Sequence, residues 1–343
     1  SNTINVADGI LRIGDSNSGA MDIAAAIAPT GVTTGILHLE SGAGITQGGG
    51  FTITETNLAI EAVGAVVLTE ANDVTNLVGA VSGSGNAFSF TDTNGLTVSG
   101  TTLDGVGPGI STTGTGAITI NSGGMLTVNG LISSGSGALS LVGATGVTHA
   151  ANGDLTTTGA GTIGVTATAN NITMVDGTVF STGTGQVDLV ANGNVVLGQV
   201  TTTSSAINVT ATTGSITEVT TLEGSTNENL TGGVMTLTAS TGIGATGGAG
   251  DIDTAATQLD LTTATGGIFI AETDGVQLGN ATGGINTSAS GNIDIDAGGA
   301  ITTGNTITTA GAGTINIDTS SGNITLSNTV TADTTGTVTI NAA

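Results

Sequence analysis

The stretch "ITTAGAGTINI", Ile307–Ile317, decides how the rest of the chain is read. An apolar residue opens it, three small or hydroxylated residues follow, then Gly-x-Gly-x, then an apolar-x-apolar pair. The same pattern stands at "ISTTGTGAITI" (Ile110–Ile120), "LISSGSGALSL" (Leu131–Leu141), "LTTTGAGTIGV" (Leu155–Val165) and "VFSTGTGQVDL" (Val179–Leu189). In each copy the first apolar residue sits eight before the pair, which aligns Leu131 and Val179 with Ile110, Leu155 and Ile307. Looser copies occur at Val330–Ile340 and Val200–Val209.

Working outward, the pair recurs as Ile118/Ile120, Leu139/Leu141, Ile163/Val165, Val187/Leu189, Ile207/Val209, Met235/Leu237, Leu259/Leu261, Ile293/Ile295, Ile315/Ile317 and Val338/Ile340. Most steps are 20 to 24 residues, with a longer interval before Ile293. Each pair reads as a short strand with two side chains inward and one outward. A second pair often follows a turn, as at Val195/Leu197 after Gly193-Asn194 and Ile324/Leu326 after Gly322-Asn323. Gly and Asn there supply positive-φ and tight-turn positions.

This predicts an all-β fold, a right-handed parallel β-helix (β-solenoid) with about three short strands per coil of roughly 23 residues. Stacked coils share a continuous Ile/Val/Leu core that one coil cannot bury alone. The length then corresponds to about 14–15 coils and a rod of roughly 70 Å. Residues 109–343 carry the regular repeats. Residues 1–108 read as a less regular solenoid region carrying a cap, with Gly107–Gly109 at the border. The sole helical pattern, "MDIAAAIAP" (Met21–Pro29), is too short to change the class.

Composition bounds the function. Charged residues are 8%, against about 25% in usual domains, and the net charge of -24 reflects 25 acids against one base, Arg12. Nucleic acid is excluded as a partner because phosphate binding needs a Lys/Arg footprint. Anionic membranes would repel the chain, and no apolar run is long enough for membrane insertion. With no Cys there is no disulfide framework. The opening "SNTINVADGIL" lacks a basic n-region, so either a signal was removed or the segment comes from something longer.

Carboxylates are the remaining chemical candidates. Asp260 and Asp294 both occupy the outward position of a repeat pair, so neighbouring coils are expected to bring them, with Asp296, to one face. There they would form an acid/base pair or a cation site. Asp251 and Asp253 in "GDID" form a second pair. All five are weak metal candidates, weakly bound calcium being the ion considered, against the simpler reading of a solvated outer face that discourages lateral aggregation. "GGAGDID" (Gly247–Asp253) is a near miss of a calcium-binding nonapeptide, with Ile252 where an Asp belongs. His38 in "ILHLE" and His149 in "VTHAA" each read as ordinary surface or turn residues. No cofactor is expected, and no enzyme activity: a sugar platform would use Trp or Tyr, which are absent, and a uronate would need more than Arg12.

The copies "GTINIDTSSGNITLSNTV" and "GQVDLVANGNVVLGQVTTT" resemble the repeats of filamentous-haemagglutinin-type β-helical adhesins and giant bacterial surface proteins, over roughly Ile110 to the end. The resemblance implies a right-handed parallel β-helix, export, and a role as stalk or fibre at the extracellular cell surface. Expected partners are copies of itself or further segments of a longer chain, and a host or cell-surface receptor or glycan. The alternative is a self-assembling fibre, sheath or surface-layer subunit joined through terminal strands such as "SNTINV" and "GTVTINAA". A third reading, suggested by "TTT" at Thr156–Thr158 and Thr201–Thr203, is an ice-binding protein.

Overall fold

A computed structural model of the chain describes residues 9–28, 35–219, 228–246, 250–333 and 335–343. Every regular element among them is a strand, and none is helical, including the described part of Met21–Pro29, where Met21–Ile23 is a strand. Part of "GGAGDID" and the whole of "SNTINV" lie outside the described residues. The chain forms two compact units, Ser1–Thr168 with Phe180–Gly185, and Ala169–Val179 with Gln186–Ala343.

Each unit is a β-solenoid of parallel stacked coils about 23 residues apart. In the first unit one ladder runs Phe88, Ile118, Leu139, Ile163 and another Leu96, Leu126, Val147. In the second, Val187, Ile207, Met235 and Leu259 stack, as do Ile268, Ile293, Ile315 and Val338. Strand after strand alternates buried and partly exposed, as at Ile118–Ser122 and Ile315–Thr319. That alternation puts one residue of every two into a dry core of stacked Ile, Leu and Val.

The Gly-x-Gly of the repeat has a steric cause. A Cβ on Gly161 would lie 2.7 Å from the Gly137 carbonyl oxygen of the preceding coil, and one on Gly313 would lie 2.4 Å from that of Gly291. Coils can close to strand spacing at this corner only if it has no side chain. The hydroxylated residue before it is not a surface group. Thr112, Thr157 and Thr182 are buried and donate to the carbonyls of Gly116, Gly161 and Gly185 at 2.5–2.7 Å.

Two expectations about register are corrected here. Ile110 pairs with Ile132, and Leu155 with Phe180, so Leu131 and Val179 are not the buried members. Leu131 is 43% exposed, whereas Ile132 and Phe180 are fully buried. The adjacent apolar pairs "LI" and "VF" leave both registers open to a pattern reader. The hydrogen bonds decide, because the turn from Thr182 to Gly185 is one residue shorter than that from Thr157 to Gly161.

One coil of the first unit carries an excursion. The strand Val66–Val81 pairs through Asn76–Leu77 with Thr97–Val98, and through Gly79–Val81 with Ile110–Thr112. The intervening segment leaves the coil, closed at its base by Gly109 N–H donating to the Ser99 carbonyl at 2.8 Å. Its tip is a two-residue hairpin in which Leu103 and Val106 exchange backbone hydrogen bonds of 3.1 and 3.0 Å. Asp104 (φ 48°) and Gly105 (φ 88°) occupy the left-handed positions that such a turn requires. Leu103 and Val106 pack against Ile36, Ala59 and Val78 on the outside of the neighbouring strands.

Candidate metal centre

Three consecutive strands, Ile10–Asp15, Ile36–Ser41 and Thr54–Ala62, stack in parallel, placing Arg12 beside His38, His38 beside Ala59, and Glu40 beside Glu61. These residues lie on the outer face, because Leu37, Leu39, Leu58 and Ile60 point into the core with no exposure. The hairpin then covers part of that face and delivers Asp104. The Arg12 guanidinium grips the Asp104 carboxylate with two donors, Nε at 2.6 Å and Nη2 on the other oxygen. His38 Nδ1 lies 2.8 Å from Asp104 Oδ2. The Arg12 hydrogen bonds, aided by His38, hold the Asp104 carboxyl below the usual carboxylate range despite its partial desolvation.

The other ring nitrogen is the informative atom. His38 is 4% exposed, and its Nε2 has no hydrogen-bond partner. Glu61 Oε2 lies 3.4 Å away, beyond the 2.7–2.9 Å of a charge-assisted hydrogen bond. Single ligand atoms from His38, Glu40 and Glu61 all fall within 4.8 Å of one another, the one such group of three among the described residues. His38 is therefore not the ordinary surface or turn residue that the sequence suggested. Neither is His149, which is wholly buried below Val128 in an inward ladder. Its Nδ1 is 2.7 Å from the Gly153 carbonyl, its ring stands edge-on to Phe180 at 4.7 Å, and burial pushes its pKa down to about 4.

The acidic residues singled out from the sequence lie in the second unit. Asp260 and Asp294 do not come together. Asp260 stacks on Thr236, whereas Asp294 stacks between Phe269 and Asn316 in another ladder. The long interval before Ile293 holds an additional strand, Ile268–Glu272, and that strand takes the place next to Ile293–Ala297. Asp260 is instead met by Gln258 Nε2 at 3.1 Å and by the Asn280 amide. Asp294 and Asp296 share one strand face, and burial raises the Asp296 pKa, joined by the charges of Asp294, Asp318 and Asp251. Asp253 faces Ala271 on the next coil, its N–H donating to Asn229 Oδ1 at 2.9 Å.

Buried Glu272 was missed by sequence reading, being one acid among many. Its carboxylate accepts from Thr254 Oγ1 at 2.6 Å and from Ala256 N–H at 3.1 Å, and burial raises its pKa to about 7. Two signals for the His38 cluster were present in the sequence. "HLE" places His38 and Glu40 two apart, hence on one strand face, and Asp-Gly at Asp104-Gly105 is a hairpin dipeptide. Nothing in the sequence says that the two meet.

Comparison of the chain with protein-family models, with curated proteins and with solved structures finds no match.

Proposed function

We propose that the chain is a non-enzymatic structural or adhesive protein, a rigid β-solenoid stalk or filament segment at a bacterial cell surface. The observation that carries this reading is the stacking of the coils: in each unit parallel strands repeat the same buried apolar positions, Phe88, Ile118, Leu139 and Ile163 in the first and Ile268, Ile293 and Ile315 in the second. A continuous core of that kind makes a stiff repeat body in which each coil contacts its neighbours.

The repeat resemblance favours the stalk over the self-assembling fibre, sheath or surface-layer subunit. The inward-turned hydroxyls of Thr112, Thr157 and Thr182 weigh against an ice-binding array, which needs them at the surface. Electron microscopy of the purified chain at near-neutral pH, with and without calcium, tests the proposal. Stiff single particles are the expected result for a stalk, and ordered filaments would convert it to the assembling subunit. Particles with no stiff axis would overturn both.

A further inference from the structure

We propose that His38 Nε2, Glu40 and Glu61 form a binding site for a divalent cation of the zinc class, with Asp104 as positioning residue. The inference is independent of the stalk reading. Three features of the cluster support it together.

The first is distance. Ligands about 2.0–2.2 Å from a tetrahedral zinc lie roughly 3.3–3.6 Å apart. His38 Nε2 and Glu61 Oε2 are 3.4 Å apart, too far for a strong hydrogen bond and at the right separation for two ligands of one ion. The second is orientation. A metal-ligating imidazole usually gives its other N–H to a carboxylate, which fixes the tautomer and aims the lone pair. Asp104 is that carboxylate, 2.8 Å from Nδ1, and Arg12 clamps it in turn. The third is burial. An imidazole nitrogen that is nearly buried and lacks a donor or acceptor is costly unless something occupies it.

The donor set selects the ion. One nitrogen and two carboxylates suit zinc, cobalt or nickel, whereas calcium and magnesium take oxygen ligands and more of them. Ala59, directly across from His38, adds no bulk beyond its methyl, so the diagonal from His38 to Glu61 stays open. The Glu61 side chain is 44% exposed, so the remaining coordination position faces solvent. A bound ion would tie the strand Ile36–Ser41 to Thr54–Ala62 and, through His38 and Asp104, hold the hairpin to the same face. The competing occupant of Nε2 is a proton, which would make an imidazolium paired with Glu61.

Zinc chloride titrated calorimetrically into the full chelator-treated chain, with calcium and magnesium chloride as comparisons, separates the two. One zinc per chain is expected, with Glu61→Gln weakening it at least 10-fold and a His38→Gln/Glu61→Gln pair abolishing it. Asp104→Asn is expected to weaken binding 10- to 100-fold. It should also shift the His38 tautomer in ring-nitrogen NMR spectra without metal, which a merely structural role would not do. The two histidines of the chain make that spectrum decisive: zinc should move the His38 signals and leave those of His149 in place. Glu61 is partly exposed, so its variant keeps the test alive if the double variant fails to fold. No saturable zinc binding, calcium binding as tight as zinc, or zinc binding unchanged by Glu61→Gln with His38 signals unmoved would each overturn the proposal.

Discussion

The two units differ in how they satisfy their carboxylates. The first holds every basic side chain of the protein, Arg12, His38 and His149; the second holds none. Acids in the second unit therefore meet neutral donors. Asn208 Nδ2 donates to Asp188 at 2.8 Å and Asn316 Nδ2 to Asp294 at 2.9 Å, each from the next coil, and Asn341 bridges likewise to Asp318 at 2.5 Å. Glu272 has only a hydroxyl and backbone N–H groups. Neutral donors offset desolvation incompletely, so Glu272, Asp260 and Asp296 are all raised, whereas the cation beside Asp104 lowers it. The first unit also has acids raised by burial, Glu55 and Asp92, beside two groups whose pKa is lowered, Asp104 and His149, and whose stabilisation fails in acid. The two units thus carry groups of opposite response to pH.

The largest expected effect lies outside this contrast and checks that the two backbones are otherwise alike. Gly161→Ala in the first unit and Gly313→Ala in the second each force a methyl against a stacked carbonyl. Each should cost about 3 kcal/mol, read by denaturant unfolding with hydrogen exchange resolving the units. A large cost in one and none in the other would mean that the corner is built differently in the two.

Next come the two buried titrating groups, with opposite signs. His149 has its pKa lowered from 6.5 to about 4, so its stabilisation is present above about pH 6.5 and is lost as pH falls toward 4. The nominal swing is on the order of 3 kcal/mol. His149→Leu should flatten the first unit's acid limb in that window, and an unchanged limb would assign acid sensitivity elsewhere. Glu272 has its pKa raised from 4.5 to about 7, so the second unit is more stable below about pH 4.5 and loses that advantage as pH rises through 7. Glu272→Gln should remove a loss of similar order across that range. If wild-type stability of the second unit does not fall between pH 4.5 and 8, the burial argument for Glu272 fails.

The smallest effects belong to the hairpin. Asp104→Asn should speed amide exchange at Leu103 and Val106 at pH 7 and leave the unfolding midpoint nearly unmoved. The wild type should approach the same exchange rates as the pH drops below about 3.8, where the depressed Asp104 finally protonates. Arg12→Ala should act in the same direction but more weakly, with the difference shrinking in high salt, because Arg12 is 62% exposed. Salt-independent behaviour would count against the ion pair as the source.

How much of this was legible varied with sequence distance. The solenoid was read from Ile307–Ile317 and its copies, since stacked coils repeat the same inward pair at nearly constant spacing. Register was harder: "LISSGSG" offers two adjacent apolar residues, and only the shortened turn places Ile132 inside and Leu131 out. The pairing of Asp260 with Asp294 failed because one coil of irregular length shifts every later repeat to another ladder. At the metal centre, His38 and Glu40 were visible as a local pair, but Asp104 comes from 66 residues away.

By itself the sequence determined the all-β class, the coil length, the repeated Ile/Leu/Val pairs of the stacked core and the glycine corner. Each follows from local chemistry repeated many times, so an error in one copy is outvoted by the rest. Tertiary structure alone decided which outer-face residues became neighbours. Strand stacking set Arg12, His38 and Glu61 on one face, a hairpin excursion brought Asp104 to them, and a single irregular coil kept Asp260 from Asp294. Those placements occur once each, and a contact made once leaves no period in the sequence to read.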